Sequence, residues 1–218
     1  MSRVEIVKEG ITHLHTSAVV NAANEFLRKG DGVCGVIFNA AGASRLQQAC
    51  DEIGGCPTGS AVITPAFDLD AQYIIHAVGP KWHGGSHGER DFLYGAYYTS
   101  LELAVTHDCR SIGFPLISSG IYGYPVDKAW EVALTACKDY IETHPVANLL
   151  IRFGVPNEGN RRIGMEVYRE IFGEEEAIVS VSLYLPASTL DKLHRLAEQS
   201  GSTPSIVVAE MIERMPLK

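Results

Sequence analysis

Short apolar runs alternating with longer amphipathic stretches constrain this chain more than any other feature of its sequence. Residues 4–7, 18–20, 61–64, 73–77, 111–115 and 149–153 are short and apolar, and read as strands. Residues 34–41, 44–53, 91–107, 127–143 and 161–172 carry helical periodicity. The pattern predicts an α/β fold with a mainly parallel sheet covered by helices on both faces. With 218 residues and 46% apolar content, the chain has material for one domain of about 170–180 residues and a small appendage. Ligands of such sheets bind beyond the carboxyl ends of the strands, so the segments that follow strands are the place to look for chemistry.

Two of those segments are rich in glycine. In "VVNAANEFLRKGDGVCGVIFNAAG", residues 19–42, Gly30, Gly32 and Gly35 have the G-x-G-x-x-G spacing of a dinucleotide-binding loop. A dehydrogenase loop follows its strand directly, whereas here nine residues, including Glu25, Arg28 and Lys29, separate Val20 from Gly30. What survives is a glycine-rich loop that opens a helix and is suited to hold an anion. The second segment, "PLISSGIYGYP" at residues 115–125, also joins a strand to a helix. Two such loops suit a diphosphate, because glycines let main-chain N–H groups form an anion-binding concavity without lysines. A formal charge of −8 agrees with recognition of that kind and argues against duplex nucleic acid as the ligand of the main domain.

Cys34, Cys50, Cys56, Cys109 and Cys137 are odd in number and lack the spacing of disulfide pairs or zinc ligands. The N-terminal "MSRVEIVKEG" has no signal-peptide apolar segment, and no run approaches membrane-spanning length. The expectation is a cytoplasmic protein with no membrane contact, no metal and no cofactor. The polar, glycine-rich "KWHGGSHGERD" at 81–91 is expected to be a mobile surface loop.

A change of character at "GEEEA", residues 173–177, divides the chain into a main domain at 1–173, an acidic linker at 174–178 and a module at 179–218. The module opens with an alternating strand, "IVSVSLYLP". A helix follows with Leu190, Leu193, Leu196 and Ala197 on its apolar face, and Ser202 starts another bearing Ile206, Val207, Met211, Ile212 and Met215. One strand and two short helices cannot bury those faces alone, so the module needs a partner. In pattern and length it resembles a ribbon-helix-helix module, a family that dimerises through a two-stranded ribbon and often binds DNA. Its bases Lys192, Arg195, Arg214 and Lys218 are balanced by Asp191, Glu198, Glu210 and Glu213, which favours a homodimer through 179–218 over DNA binding.

Over residues 3–172 the chain resembles the macrodomains, which bind ADP-ribose and related metabolites. The motifs "VVNAAN", the glycine loop, "CPTGSAVIT", "YIIHAVGPKW" and "PLISSGIYGYP" stand in that family's order and at compatible spacings. The resemblance implies a three-layer α/β/α domain with a mixed, mainly parallel sheet and ADP-ribose in a crest cleft. It places the diphosphate between Gly30, Gly32, Val33 and Cys34 on one side and Ser118, Ser119, Gly120, Ile121 and Tyr122 on the other. Asn24 then contacts the distal ribose, Tyr122 packs beside it, the Ile11 backbone faces the base, and Ala22 and Phe153 complete the ligand-binding set.

Within the family the chain looks most like the branch that hydrolyses ADP-ribosyl esters, on modified acidic side chains or on O-acetyl-ADP-ribose. In cellular members of that branch an Asp stands ten residues after the second Asn of "NAAN" and a His follows four residues later. Here those positions are Cys34 and Phe38, a "GVC" loop followed by an aromatic residue, as in the alphavirus macrodomains. The mechanism this implies is substrate-assisted: the ligand's α-phosphate holds a water while the loop amides and Asn24 fix the ribose, which makes Asn24, Gly32 and Cys34 the catalytic candidates. A nucleophilic Cys34 is the covalent alternative. The family's G-D-I-T reads Glu9, Gly10, Ile11, Thr12 here, which displaces the carboxylate that meets adenine and implies weaker ADP-ribose affinity. The competing functions are a non-catalytic ADP-ribose reader and a DNA-binding regulator that senses ADP-ribose.

Other polar residues have simpler readings. His13, His15, His83 and His87 lack the rigid scaffold of a metal site. His76 reads as a satisfied core histidine, while Asn21 fits a buried structural amide or a ligand contact equally well. Ser118 and Ser119 stand outside any G-x-S-x-G serine-hydrolase motif.

Overall fold

The computed structural model describes residues 2–173 and 187–200, together with Val207, Val208 and Met211. The chain divides into two compact units, Met1–Ser180 and Val181–Lys218. In the first, six strands form one sheet: β1 (Arg3–Val7), β2 (Ala18–Ala22), β3 (Ala61–Pro65), β4 (Tyr73–Ala77), β5 (Ser111–Phe114) and β6 (Leu150–Gly154). Their order is β1-β6-β5-β2-β4-β3. Every pairing is parallel except that of β3 with β4. The segment 66–72 between those two is too short for a crossover helix, so the chain turns back on itself and leaves β3, with its Pro65, at the edge.

Period-two alternation sends neighbouring side chains of each strand to opposite faces. Ala18 and Val20 of β2 join Val4, Ile6, Ile75, Ile112, Phe114, Ile151 and Phe153 in one core. That core is closed by α3 (Glu89–Thr106), α4 (Val126–Thr143) and α5 (Glu158–Phe172). Val19 and Ile74 face the other way, into a smaller core under α1 (Gly32–Ala41) and α2 (Ala43–Ile53). The result is three layers, helices on both sides of a mixed sheet.

On the smaller-core face, Asn21 Nδ2 donates to His76 Nδ1 at 3.1 Å, which leaves His76 Nε2 to donate to Thr64 Oγ1 at 3.0 Å. Burial pushes the His76 imidazole down to about 4, so it is neutral at physiological pH. The sequence leaves Asn21 open between a structural amide and a ligand contact; in the structure it is 1% exposed and bonds His76 through Nδ2, while its Oδ1 has no hydrogen-bond partner among the described residues.

Helix starts are where the sequence-based boundaries shift. Periodicity first becomes visible at Cys34, Asp91 and Arg161, yet the helices begin at Gly32, Glu89 and Glu158. First turns are polar or glycine-rich because their N–H groups point outward, so the apolar rhythm starts a turn late. The 81–91 segment also differs from the mobile loop expected. Glu89 is only 2% exposed, and it accepts the N–H groups of His83, Gly85 and His87 at 3.0, 3.0 and 2.6 Å. Burial alone would raise its carboxyl, but these donors outweigh burial and hold it down at about 2.

In the second unit, α6 (Ala187–Ser200) matches the helix read from the sequence, with Ala197 buried. The expected ribbon strand at 178–185 lies outside the described residues, as does most of the second helix. No helix among the described residues is long and apolar enough to cross a membrane.

Candidate functional site

β2 and β5 are neighbours in the sheet, but the chain leaves β2 toward α1 on one face and leaves β5 toward α4 on the other. Diverging connections open a crevice between the two strand ends, the usual ligand position in a doubly wound sheet. There the structure has a cleft of about 410 Å³. Its walls come from the residues that follow β2, β4, β5 and β6, all at the carboxyl edge of the sheet.

The first wall is the loop from Asn24 into α1. The Asn24 carboxamide braces it from within: Nδ2 donates to the Arg28 carbonyl at 2.7 Å, and the Arg28 N–H donates to Oδ1 at 3.1 Å. Cys34 Sγ accepts the Gly30 N–H at 3.4 Å and lies 3.9 Å from the Arg28 carbonyl. Gly35 allows the closest approach, since a Cβ there would stand 2.7 Å from the Gly30 carbonyl oxygen. Asp31 occupies the N-cap of α1, yet its side chain caps none of the first-turn N–H groups. Those groups therefore stay available at the positive end of the helix.

The opposite wall is the loop from Pro115 to Tyr122. Hydrogen bonds from Tyr124 N–H to the Ser118 carbonyl and from Gly123 N–H to the Gly120 carbonyl fold it tightly. Ser118 has a positive φ of 64°, a conformation uncommon outside glycine and a mark of local strain. Its hydroxyl is buried with no hydrogen-bond partner among the described residues. Gly79, two residues past the end of β4, makes room for this loop, for a Cβ there would clash with Ser118 Oγ. Burial, and then the Glu25 charge, raise the Tyr122 phenol, which stays a neutral hydroxyl.

A third wall comes from the start of α5, where the Asn157 side chain caps the helix by accepting the Asn160 N–H at 2.9 Å. Two helix N-termini therefore face one cleft. None of its described lining residues is Lys, Arg or His, and its one charged side chain is Asp31. An anion in this cleft would be met by peptide N–H groups and helix ends.

Most of the residues expected from the sequence come together here: Ala22, Asn24, Gly30, Gly32, Val33, Cys34, Ser118, Ser119, Gly120, Ile121 and Tyr122 all line the cleft. Ile11 and Phe153 do not. Ile11 belongs to a short 3-10 turn, Ile11–His13, and its side chain is buried in the smaller core. Phe153 is fully buried against Phe114 and Trp130, and its neighbours Gly154 and Val155 reach the cleft in its place. Asn157 and Asn160 line the cleft and were missed. The signal available was Asn157 as a helix cap just after a strand, at "VPNEGN".

The remaining candidates are elsewhere. His15 bonds Asp70 at an exposed site, and the His83 and His87 rings lie 6.0 Å apart on the Glu89 loop. No group of three His, Cys, Asp or Glu side chains is gathered for a metal among the described residues. All five cysteines are unpaired and buried.

A doubly wound sheet with a cation-free, amide-lined cleft at its switch point defines an anion-binding α/β protein, and comparison with known proteins gives the family. The macro domain family matches residues 20–133. A macro domain-containing protein of Chlorobaculum tepidum is 50% identical over 138 residues, 63% of this chain and 80% of its own length. The O-acetyl-ADP-ribose deacetylase of Escherichia fergusonii is 43% identical over 166 residues, 74% of this chain and 93% of its own. Among solved structures, an Oceanobacillus iheyensis macrodomain with ADP superposes with a TM-score of 0.73 at 35% identity, covering 78% of this chain and 91% of that one. The chain belongs to the macro domain family.

Proposed function

We propose that the protein binds ADP-ribose in this cleft and hydrolyses ADP-ribosyl esters, either on mono-ADP-ribosylated proteins or as O-acetyl-ADP-ribose. One observation carries the reading: two glycine-rich loops and two helix N-termini converge on a cleft whose lining has no cationic side chain. A diphosphate fits between the loops, with the distal ribose at the Asn24 and Tyr122 end and the adenosine toward Gly154–Asn160. The orphan Ser118 hydroxyl supplies a further hydrogen bond to the ligand, since buried polar groups are rarely left unpaired. The Escherichia relative, named an O-acetyl-ADP-ribose deacetylase, and the Oceanobacillus macrodomain with ADP support the same ligand class.

Catalysis in this reading comes from positioning and from fixed main-chain dipoles. The loop amides and Asn24 hold the ribose, the α-phosphate of the substrate orients a water, and no side chain acts as nucleophile. Cys34 braces the loop through Gly30 and no histidine lines the cleft to serve as its base, so Cys34 is a structural thiol. Cys34→Ala is expected to keep release of label from a mono-ADP-ribosylated protein within about threefold of the parent. A loss of about a thousandfold with ADP-ribose affinity intact would overturn the structural role of Cys34, and trapping a covalent adduct on Cys34 would establish the nucleophile. Parent protein that binds ADP-ribose but releases no label is a reader, the second reading, which the Cys34 found in place of a carboxylate favours. Calorimetry showing no binding at millimolar ADP-ribose would refute both.

Five buried unpaired thiols suit a reducing cytoplasm. Residues 179–218 act in this reading as a dimerisation module, because their charges balance and give DNA phosphates little to grip. A salt-sensitive mobility shift of a specific operator, relieved by ADP-ribose, would reverse that preference in favour of a DNA-bound sensor.

A further inference from the structure

A second cavity of about 420 Å³ adjoins the cleft, and the two share Gly79 and Tyr122 as a common wall. Adjacent residues part at this boundary: Asn24 opens on the cleft and Glu25 on the second cavity. The residues that begin α5 line the cleft alone. The second cavity therefore lies off the Asn24 and Tyr122 end, where the distal ribose sits in the reading above. A group joined to that ribose on the side away from the diphosphate leaves the cleft at this end, and the second cavity is the space it meets.

Its charges are unevenly committed. Glu89 is sunk in the wall, and its carboxylate is spent on three backbone N–H groups. Glu25 Oε1 accepts the Thr58 hydroxyl at 2.9 Å. Lys81 instead holds its ammonium over the Tyr122 ring, Nζ 5.6 Å from the centroid, at the partition between the cavities. His83 and His87 line the same space. The positive group thus stands at the threshold, while one of the two carboxylates is withdrawn behind backbone donors.

We propose that this cavity is an acceptor subsite for the peptide that carries the ADP-ribosyl group, with Lys81 selecting peptides that have an acidic side chain beside the modified residue. The inference rests on the ADP-ribosyl reading of the first cleft and adds to it a substrate class: modified protein with acidic flanks, in preference to small esters. A peptide of that kind makes an ion pair at Lys81 that a neutral peptide lacks.

The test uses the full chain and two peptides bearing ADP-ribose through a non-hydrolysable linkage, one flanked by glutamates and the other by glutamines. Calorimetry on the parent protein is expected to give an acidic-peptide Kd about fivefold tighter, in the range of a partly exposed ion pair. The ratio should fall toward one in Lys81→Gln, and in the parent at high salt, because exposed pairs are screened. The affinity for free ADP-ribose should be the same in parent and variant, which also shows that the variant is folded. Equal affinities for the two peptides in a parent protein that binds ADP-ribose would overturn the subsite and leave the first cleft standing. A preference that survives Lys81→Gln would overturn the role of Lys81. No ADP-ribose binding by the parent would overturn the functional reading and the subsite together.

Discussion

Gly35→Ala is expected to weaken ADP-ribose binding about a hundredfold, although alanine is the better helix former. Gly35 lies within α1, so propensity alone would reward the change by about 1 kcal/mol. The new methyl would stand 2.7 Å from the Gly30 carbonyl oxygen, however, and a backbone atom cannot swing aside as a long side chain can. The loop must move, and the main-chain N–H groups from Gly30 into α1 move with it. Losing one or two main-chain hydrogen bonds to a charged group, at about 1.5–3 kcal/mol each, covers a hundredfold, which is about 2.7 kcal/mol of binding free energy. Calorimetry on a variant with a parent-like melting curve reads it directly. An unchanged Kd would mean that the loop is not the ligand's wall.

Trp130→Ala is expected to cost about 3–5 kcal/mol of folding stability, the range for deleting a large buried aromatic side chain. Trp130 is fully buried between α4 and α5, with its ring 5.1 Å from Phe153. Its fit is close: a Cβ on Gly164 would come within 2.5 Å of the indole. The indole N–H also donates to the Asn160 carbonyl at 2.9 Å, which fastens the start of α5 beside the cleft. For a domain of this size the loss corresponds to a fall in Tm of roughly 10 °C. Chemical denaturation showing less than about 1 kcal/mol would contradict the packing described for α4 and α5. ADP-ribose affinity should fall as well, since Asn160 lines the cleft.

The sheet and its helices were legible because their signals are strong and local. Ala18–Val20 is apolar through its length and Tyr73–Ala77 apolar but for the hydrogen-bonded His76, as befits strands buried on both faces. The two glycine loops were legible because positive φ and close approach leave few other choices of residue, as at Gly32 and Gly35. What stayed hidden is long-range. That Asn157 and Asn160 face the loops after β2 and β5 depends on β6 lying beside β5, which no local pattern records. Ile11 and Phe153 were placed by resemblance; Phe153 is core but its neighbour Gly154 lines the cleft, whereas the Ile11 side chain belongs to the smaller core. The 81–91 segment looked mobile because its organiser is a single buried carboxylate, and Glu89 is indistinguishable in sequence from a solvated acid.

The cleft's attraction for anions resides in peptide groups, and so it is written in the course of the chain. Acetylating or methylating surface lysines would leave it untouched, and exchanging one side chain for another would retune it only where the exchange displaces the backbone, as at Gly35. Converting this receptor to a different ligand charge requires redrawing a turn, by insertion or deletion between β2 and α1 or between β5 and α4.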